Sequence, residues 1–335
     1  MPPLIVALLM ACGGTTQTPE PTQPAPAVEP APTQALTVAD RVAQIRDLMD
    51  GVTDSDDEEE ILAHFLAVRG ADLFELKRGL DAGPTDEGLH HLVYSDIDDE
   101  AIRDSLKKHL VEAHVIPEPR PVRVISDIDD TILCRLFDKR YDKGITYPGV
   151  RAFYAEIGGG VTFLSARPAD RVGAYETITM DMLEDRGFAD FTLLHGTFVE
   201  LRAHETMAEG KYRNFVQYRE LYPEYAYVLT GDTGQADASF GAKLLAEFPE
   251  DVRGAFIHQL GNELTDVEHV DNLFYVETWA GAALHAHRSG WLTKEAAQRV
   301  IDSAQKELTE LDFEEEQKRA VLADQMEHAA TQLAD

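Results

Sequence analysis

The five-residue string Ser-Asp-Ile-Asp-Asp occurs twice in this chain, at Ser95–Asp99 and at Ser126–Asp130. The second copy follows Val122-Arg123-Val124-Ile125, a pattern that is typical of a buried strand. Its acids therefore come just beyond the carboxyl end of a strand, where open α/β sheets bind their ligands. This context predicts an α/β fold with a functional site at the edge of its sheet.

The first copy stands in a helical context. It precedes Ile102, Leu106 and Leu110, whose spacing predicts the apolar face of a helix. The acids of this copy then form the N-cap and first turn of that helix, where carboxylates accept hydrogen bonds from free backbone N–H groups. We expect no chemistry at Ser95–Asp99.

The composition restricts the partners of the chain. Its 335 residues include 30 Lys and Arg against 61 Asp and Glu, which gives a net charge of −31. Such a chain is repelled by phosphate backbones, so the sequence predicts no nucleic-acid partner. Anionic lipid surfaces repel it too unless something anchors it. Two cysteines are too few for a disulfide framework or a cysteine-rich zinc site.

The N-terminal region supplies a candidate anchor. Residues 1–11 end in an apolar run and a small residue before Cys12, and this pattern resembles a bacterial lipoprotein signal. The alternative is a chance cysteine after a short apolar stretch. Residues 12–35 are rich in Thr, Pro, Gln and Ala, and we interpret them as a disordered tether. The resemblance implies lipid attachment at Cys12 in the bacterial cell envelope, at the outer membrane because Gly13 follows.

Helical patterns lie on both sides of the predicted sheet. Residues 36–118 contain amphipathic runs and form a helical accessory domain in this interpretation. Residues 119–290 then hold the α/β domain. Residues 291–335 are a C-terminal extension of two helices, Lys294–Leu311 and Glu314–Leu333, whose apolar stripes we expect to pack on the body.

Four segments of the predicted α/β domain resemble the haloacid dehalogenase superfamily of phosphotransferases in their order. Asp127–Thr131 follows a strand, Val161–Ser165 is a strand that ends in serine, and Lys211 lies in a later helix. Tyr225–Asp237 then contains a strand that ends in Gly-Asp, with another acid a few residues on. The resemblance implies a haloacid dehalogenase-like Rossmannoid fold, with a mostly parallel sheet and helices on both faces.

The resemblance also implies a mechanism. Asp127 is the nucleophile that forms an aspartyl phosphate, and Asp129 is the general acid and base. A Mg²⁺ cofactor offsets the charge of these acids and the phosphate, with Asp127, the backbone carbonyl of Asp129, and Asp232 as its ligands. Ser165 and Lys211 bind the phosphoryl oxygens.

Neighbouring residues receive smaller roles. Thr131 and Asp237 support the site, and Asp237 does so through the metal shell or by orienting Lys211. Asp130 has no role and is expected to be solvated. Cys134 is interpreted as a small apolar filler rather than as a reactive thiol.

A narrower resemblance comes from the flanking residues. Tyr147–Val150, Lys211–Phe215 and Gly231–Gln235 are similar to the phosphatidate phosphatase catalytic domain first described in an actin-patch protein. That family is Mg²⁺-dependent and dephosphorylates phosphatidic acid and related lipid phosphates. The chain departs from it at Leu164–Pro168 and at Ile257-His258, where the family tends to have Ile-Arg.

Short connections predict an essentially capless site that is open to a bulky substrate. Residues 132–160 leave room only for a small flap, and residues 166–210 for a helix, a strand and a connection. The favoured substrate is a lipid phosphate; the alternatives are another phosphomonoester, or a non-catalytic surface lipoprotein that binds a partner. Four cations could offset the acidity of the body near the site: Lys139, Arg140, Arg167 and Arg171.

Overall fold

A computed structural model describes residues 36–158, 160–168, 174–196, 204–234, 236–261 and 269–335. The predicted lipid attachment at Cys12, the tether and Arg171 lie outside these residues, as does the side chain of Arg167.

Seven strands within the described residues form one fully parallel sheet, in the order β1-β4-β3-β2-β5-β6-β7. The strands are β1 (Pro84–Thr85), β2 (Val122–Ser126), β3 (Gly160–Pro168), β4 (Phe191–Gly196), β5 (Ala226–Asp232), β6 (Val252–His258) and β7 (Leu273–Val276). The chain runs outward from β2 to β3 and β4 and then returns to place β5 on the other side of β2. This reversal opens a crevice between the carboxyl ends of β2 and β5. The predicted α/β fold class is confirmed.

Helices cover both faces of the sheet. In the described part of the chain they are α1 (Val38–Leu48), α2 (Ser55–Leu66), α3 (Gly70–Leu80), α4 (Leu89–His91), α5 (Glu100–Ala113), α6 (Val150–Ile157), α7 (Ala174–Asp185), α8 (His204–Leu221), α9 (Asp237–Glu247), α10 (Trp279–Arg288), α11 (Lys294–Glu310) and α12 (Glu316–Ala334). A π-helical turn, Leu92–Asp96, continues α4. None of the described helices is both long and apolar enough to cross a bilayer.

Successive residues of β2 point into two separate hydrophobic cores. Val124 belongs to the core that α6, α10, α11 and α12 cover, and Ile125 to the core under α8 and α9. The apolar stripes of the two C-terminal helices are buried in the first core, as the sequence predicts; Met326 is one example. Helices α1, α2, α3 and α5 contribute to the second core, for example through Leu76 and Leu106.

The N-terminal helices are also joined to the α/β part by a buried ion pair. Lys77 of α3 places its Nζ 2.7 Å from both carboxylate oxygens of Glu224, which precedes β5, and both side chains are fully buried. Strand β1 comes from the same N-terminal region and pairs with β4. Thr37–Asp335 forms one compact unit. Its division into three domains stays a prediction.

The connection from β2 to α6 carries a short loop, Arg135–Lys143, which is called the flap below. Two isolated bridges secure its base, one between Asp129 and Leu133 and one between Leu133 and Thr146. Because this connection starts at the carboxyl end of β2, the flap lies beside the crevice between β2 and β5.

Candidate active site

Two adjacent strands bring the first two predicted site residues together. Ser126 of β2 pairs with Thr230 of β5, and the backbone N–H of Asp127 donates to the Thr230 carbonyl at 3.0 Å. Asp127 therefore follows β2 where Asp232 ends β5. The sheet register places both carboxyl groups in the crevice.

A third carboxylate arrives from the first residue of α9. Asp237 accepts a hydrogen bond from the Asp232 backbone N–H at 3.3 Å. This approach requires Gly231, because a Cβ there would lie 2.5 Å from the Cβ of Asp237. One carboxylate oxygen from each of Asp127, Asp232 and Asp237 lies within 4.8 Å of the others, and all three side chains are buried.

Lys211 of α8 contacts two of these three carboxylates. Its Nζ lies 2.8 Å from Asp127 Oδ1 and 2.6 Å from Asp237 Oδ1. Burial by itself lowers the pKa of Lys211, but the carboxylates of Asp127 and Asp237 outweigh it, and the net effect raises the pKa. Lys211 is therefore a permanent positive charge in contact with both acids.

The buried acids outnumber this single cation. Burial raises the pKa of Asp127 to about 7, against Lys211, and the charge of Asp237 adds to the increase. Burial and the charges of Asp237 and Asp127 likewise raise the pKa of Asp232 well above its ordinary value. Among the described residues, Asp127 Oδ2 and Asp232 Oδ2 are buried without a hydrogen-bond partner. A bound metal ion fits this arrangement, since it would ligate the free oxygens and offset the excess negative charge.

The remaining predicted residues surround this group. Asp129 is partly buried, and its Oδ1 accepts from Arg135 Nη1 of the flap at 3.2 Å. Ser165 is buried. It lies at the same edge of the sheet, because Phe163, two residues earlier in β3, pairs with Ser126. Thr131 is buried, and its Oγ1 has no hydrogen-bond partner within the described ranges.

The comparison with family models agrees with this geometry. Residues 122–259 match the family model "Phosphatidate phosphatase APP1, catalytic domain". Residues 122–259 are a phosphatase catalytic domain. The match begins at the first residue of β2 and ends just after β6, so it includes every catalytic and metal-ligating residue that the sequence predicts. It spans less than half of the chain. Neither the curated proteins nor the solved structures compared with the chain gave a match.

Asp130 of the phosphatase domain corrects one expectation. It is fully buried rather than solvated, and its backbone φ of 58° lies in the left-handed region. Its carboxylate accepts hydrogen bonds from the backbone N–H groups of Arg135, Leu136 and Phe137, at 2.6–3.1 Å. The flap folds back over the acid and supplies these donors. The donors lie outside the five-residue string, so the string alone could not predict that Asp130 is buried.

Arg140 provides a second correction, because its guanidinium is engaged rather than available to offset the acidity of the body. It donates to Asp138 Oδ2 at 2.8 Å and contacts His258 Nε2 at 3.0 Å. His258 Nδ1 lies 2.9 Å from the Asp130 carbonyl and donates to it. Burial and Arg140 lower the pKa of His258 to about 4, so the ring is neutral. The departure at Ile257-His258 was the signal for this network.

A chain of buried, hydrogen-bonded hydroxyl groups lies next to Asp127. The sequence did not predict it. Ser126 Oγ donates to the Asp127 carbonyl at 2.5 Å and lies 2.8 Å from Tyr154 Oη. Tyr154 Oη is also 2.7 Å from Thr230 Oγ1 of the neighbouring strand. These bonds fix the peptide of Asp127.

Cys134 is buried as predicted, and burial raises the pKa of its thiol to about 11.

Proposed function

We propose that this phosphatase domain hydrolyses the phosphomonoester of a lipid, such as phosphatidic acid, with Mg²⁺ as its cofactor. The family match supports the lipid substrate, and the observation that carries the chemistry is the state of the Asp127 carboxylate. One oxygen is held by Lys211, and the other is buried, free of hydrogen bonds in the described structure, and grouped with Asp232. An oriented carboxylate with a free oxygen beside a metal-binding acid suits in-line attack on phosphorus.

The ligands proposed for Mg²⁺ are Asp127, Asp232 and the backbone carbonyl of Asp129. All three offer oxygen atoms, which Mg²⁺ prefers. When bound, the ion supplies positive charge to the phosphoryl oxygens and lets them approach the acids. Asp237 holds Lys211 in place through their 2.6 Å contact, and the buried Thr131 supports the loop.

The reaction proceeds in two displacements. Asp127 attacks phosphorus and forms an aspartyl phosphate, while the bond from phosphorus to the alcohol oxygen breaks and Asp129 protonates that oxygen. Asp129 then takes a proton from water, which attacks phosphorus, releases inorganic phosphate and restores Asp127. Ser165 and Lys211 bind the phosphoryl oxygens throughout, and the charge of Lys211 favours the charge distribution in the transition state.

A panel of substrates tests this proposal. The full-length protein is assayed for phosphate release from phosphatidic acid in detergent micelles, from a nucleoside monophosphate and from a sugar phosphate. We expect turnover of phosphatidic acid that stops with a chelator and returns with added Mg²⁺. Faster turnover of the two water-soluble esters would contradict the lipid assignment but keep the chemistry. No release from any ester would contradict both.

We also propose that lipid attachment at Cys12 holds the protein at the outer membrane. The small residue before Cys12, the Pro- and Thr-rich segment after it and the net charge of −31 support an anchor. The test compares Cys12→Ala with the parent by membrane fractionation and mass spectrometry. We expect acylated parent protein in the outer-membrane fraction and loss of Cys12→Ala from it. An unmodified Cys12 in the parent would contradict the anchor.

A further inference from the structure

The flap exposes two large apolar side chains side by side at the mouth of the site. Leu136 is 47% exposed and Phe137 is 48% exposed. Single exposed apolar residues are ordinary on protein surfaces, but an adjacent pair beside a catalytic crevice is a candidate interaction surface. The Phe137 ring packs against Gly234, two residues after Asp232, since a Cβ on Gly234 would lie 2.5 Å from Phe137 Cδ2.

Buried or long side chains of the protein bond to the backbone N–H groups and to two of the carbonyls around this pair. Asp130 accepts the N–H groups of Arg135, Leu136 and Phe137. Lys143 Nζ donates to the carbonyl of Leu136 at 2.7 Å and also to that of Arg135. A loop that enters an apolar phase needs such internal partners, because hydrocarbon offers none. The flap meets this requirement at the N–H groups of both exposed residues and at the carbonyl of Leu136.

The charge of the flap is opposite to that of the whole chain. Residues 135–143 contain four Lys and Arg against two Asp, a difference of +2 within a chain of net charge −31. The side chains of Arg135, Lys139 and Lys143 are exposed. Anionic headgroups attract these cations and repel the acidic body, so an anionic bilayer would favour an orientation with the flap toward its surface.

We propose that the flap is a membrane-docking surface, with Leu136 and Phe137 entering an anionic bilayer and Arg135, Lys139 and Lys143 at its headgroups. This inference rests on the proposed function, and it explains how a lipid phosphate reaches Asp127. Arg135 also contacts Asp129 at 3.2 Å, so docking places the general acid next to the headgroup layer. The buried Asp130 holds the docking residues in position.

Vesicle flotation tests this surface without relying on turnover. The full chain carries Cys12→Ala, which removes the proposed anchor, and the vesicles contain phosphatidylcholine and phosphatidylglycerol. Neither lipid is a phosphomonoester, so binding does not depend on the hydrolysis proposed above. The variant is Leu136→Ser with Phe137→Ser. The matched control is Val111→Ser with Val321→Ser, two apolar residues that are 60% and 56% exposed outside the flap.

We expect the Cys12→Ala protein to float with the vesicles and the flap variant to lose about tenfold in partitioning, from two apolar side chains that no longer insert. The control pair should partition like the parent. Lys139→Glu should also weaken binding, and added salt should reduce the difference. Leu136→Ser alone, expected to lose about threefold, replaces the double variant if that variant melts at a lower temperature than the parent.

Three results would overturn the docking surface: no flotation of the Cys12→Ala protein, equal flotation of the flap variant, or an equal loss in the control pair. Flotation that depends on the flap, together with no activity on any phosphate ester, would instead support the surface and reject the proposed hydrolysis. Hydrolysis of phosphatidic acid in detergent without flotation would reject the surface alone.

Discussion

The two Ser-Asp-Ile-Asp-Asp copies share their letters and differ in almost every physical property. In the first copy only Ile97 is buried, and the acids meet solvent or local partners. Asp99 caps α5, accepting from the N–H groups of Ala101 at 2.7 Å and Ile102 at 3.1 Å. In the second copy Ser126, Asp127, Ile128 and Asp130 are all buried, and only Asp129 is partly accessible.

The difference teaches that the neighbours of an acid decide its chemistry. An exposed carboxylate at a helix N-terminus finds free N–H donors and water, and it stays an ordinary cap. A carboxylate at the end of a central strand is surrounded by other strand ends and is desolvated there. Burial therefore raises the pKa of Asp127, whose carboxylate contacts Lys211. Paired substitutions at matching letters of the two copies test this comparison.

The largest contrast in activity is expected at the second position of the string, between Asp127 and Asp96. Asp127→Asn should lower kcat for phosphate release by about 10⁴-fold, because the nucleophile is lost while its shape is kept. Asp96→Asn should leave kcat unchanged, since the Asp96 carboxylate pairs with His91 of its own segment. Phosphate release and circular dichroism are measured for both. Near-parent activity in folded Asp127→Asn, or an equal loss in Asp96→Asn, would place the site elsewhere.

The next largest difference in activity is expected at the fourth position, between Asp129 and Asp98. Asp129→Asn should reduce kcat by roughly 10²- to 10³-fold, the range typical of a lost general acid and base. Asp98→Asn should leave kcat unchanged, because Asp98 is exposed and bonds to Glu58 through its backbone. Its N–H donates to Glu58 Oε1 at 2.6 Å, and the substitution keeps this bond. Steady-state kinetics on one substrate checks both variants. A loss in Asp129→Asn confined to KM would argue against proton transfer by Asp129.

At the fifth position, substitutions of Asp130 and Asp99 should differ in their effect on stability. Asp130→Ala leaves three flap N–H groups without their acceptor and should lower the free energy of unfolding by about 3 kcal/mol. Asp99→Ala removes an N-cap and should lower it by about 1 kcal/mol. Urea unfolding of both variants under identical conditions gives the comparison. Equal losses would mean that the flap is held by other contacts.

The smallest effect concerns His91 beside the first copy. The hydrogen bond that His91 Nδ1 donates to the Asp96 carboxylate raises the pKa of His91, against the opposing effect of burial. A raised pKa stabilises the fold in full below the ordinary value of about 6.5, and this contribution is lost as pH rises through the folded value. For a surface pair we expect about 0.5 kcal/mol. An NMR titration should show a lower His91 pKa in Asp96→Asn; an unchanged value would remove this pair from the comparison.

Local pattern was sufficient for the C-terminal helices, for the strand before Asp127 and for the order of the site segments. The predicted helices at Lys294–Leu311 and Glu314–Leu333 correspond to α11 and α12 within two residues at each end. The cap at Asp99 is also confirmed. These features depend on residues at most four positions apart, through helix periodicity and capping, so their information is contained in the nearby sequence. The strand before Asp127 was readable for the same reason.

Tertiary structure alone decided which acids are buried and what they contact. Asp130 meets the flap, Arg140 meets His258 118 positions later, and Lys77 meets Glu224 147 positions later. Such contacts depend on how strands and loops are brought together, and the letters next to each residue carry no record of it. The chain itself determined that an acid follows β2. The sheet, by placing β5 and α8 beside that acid, determined that Asp127 faces Asp232 and Lys211, because desolvation and charge act through space rather than along the sequence.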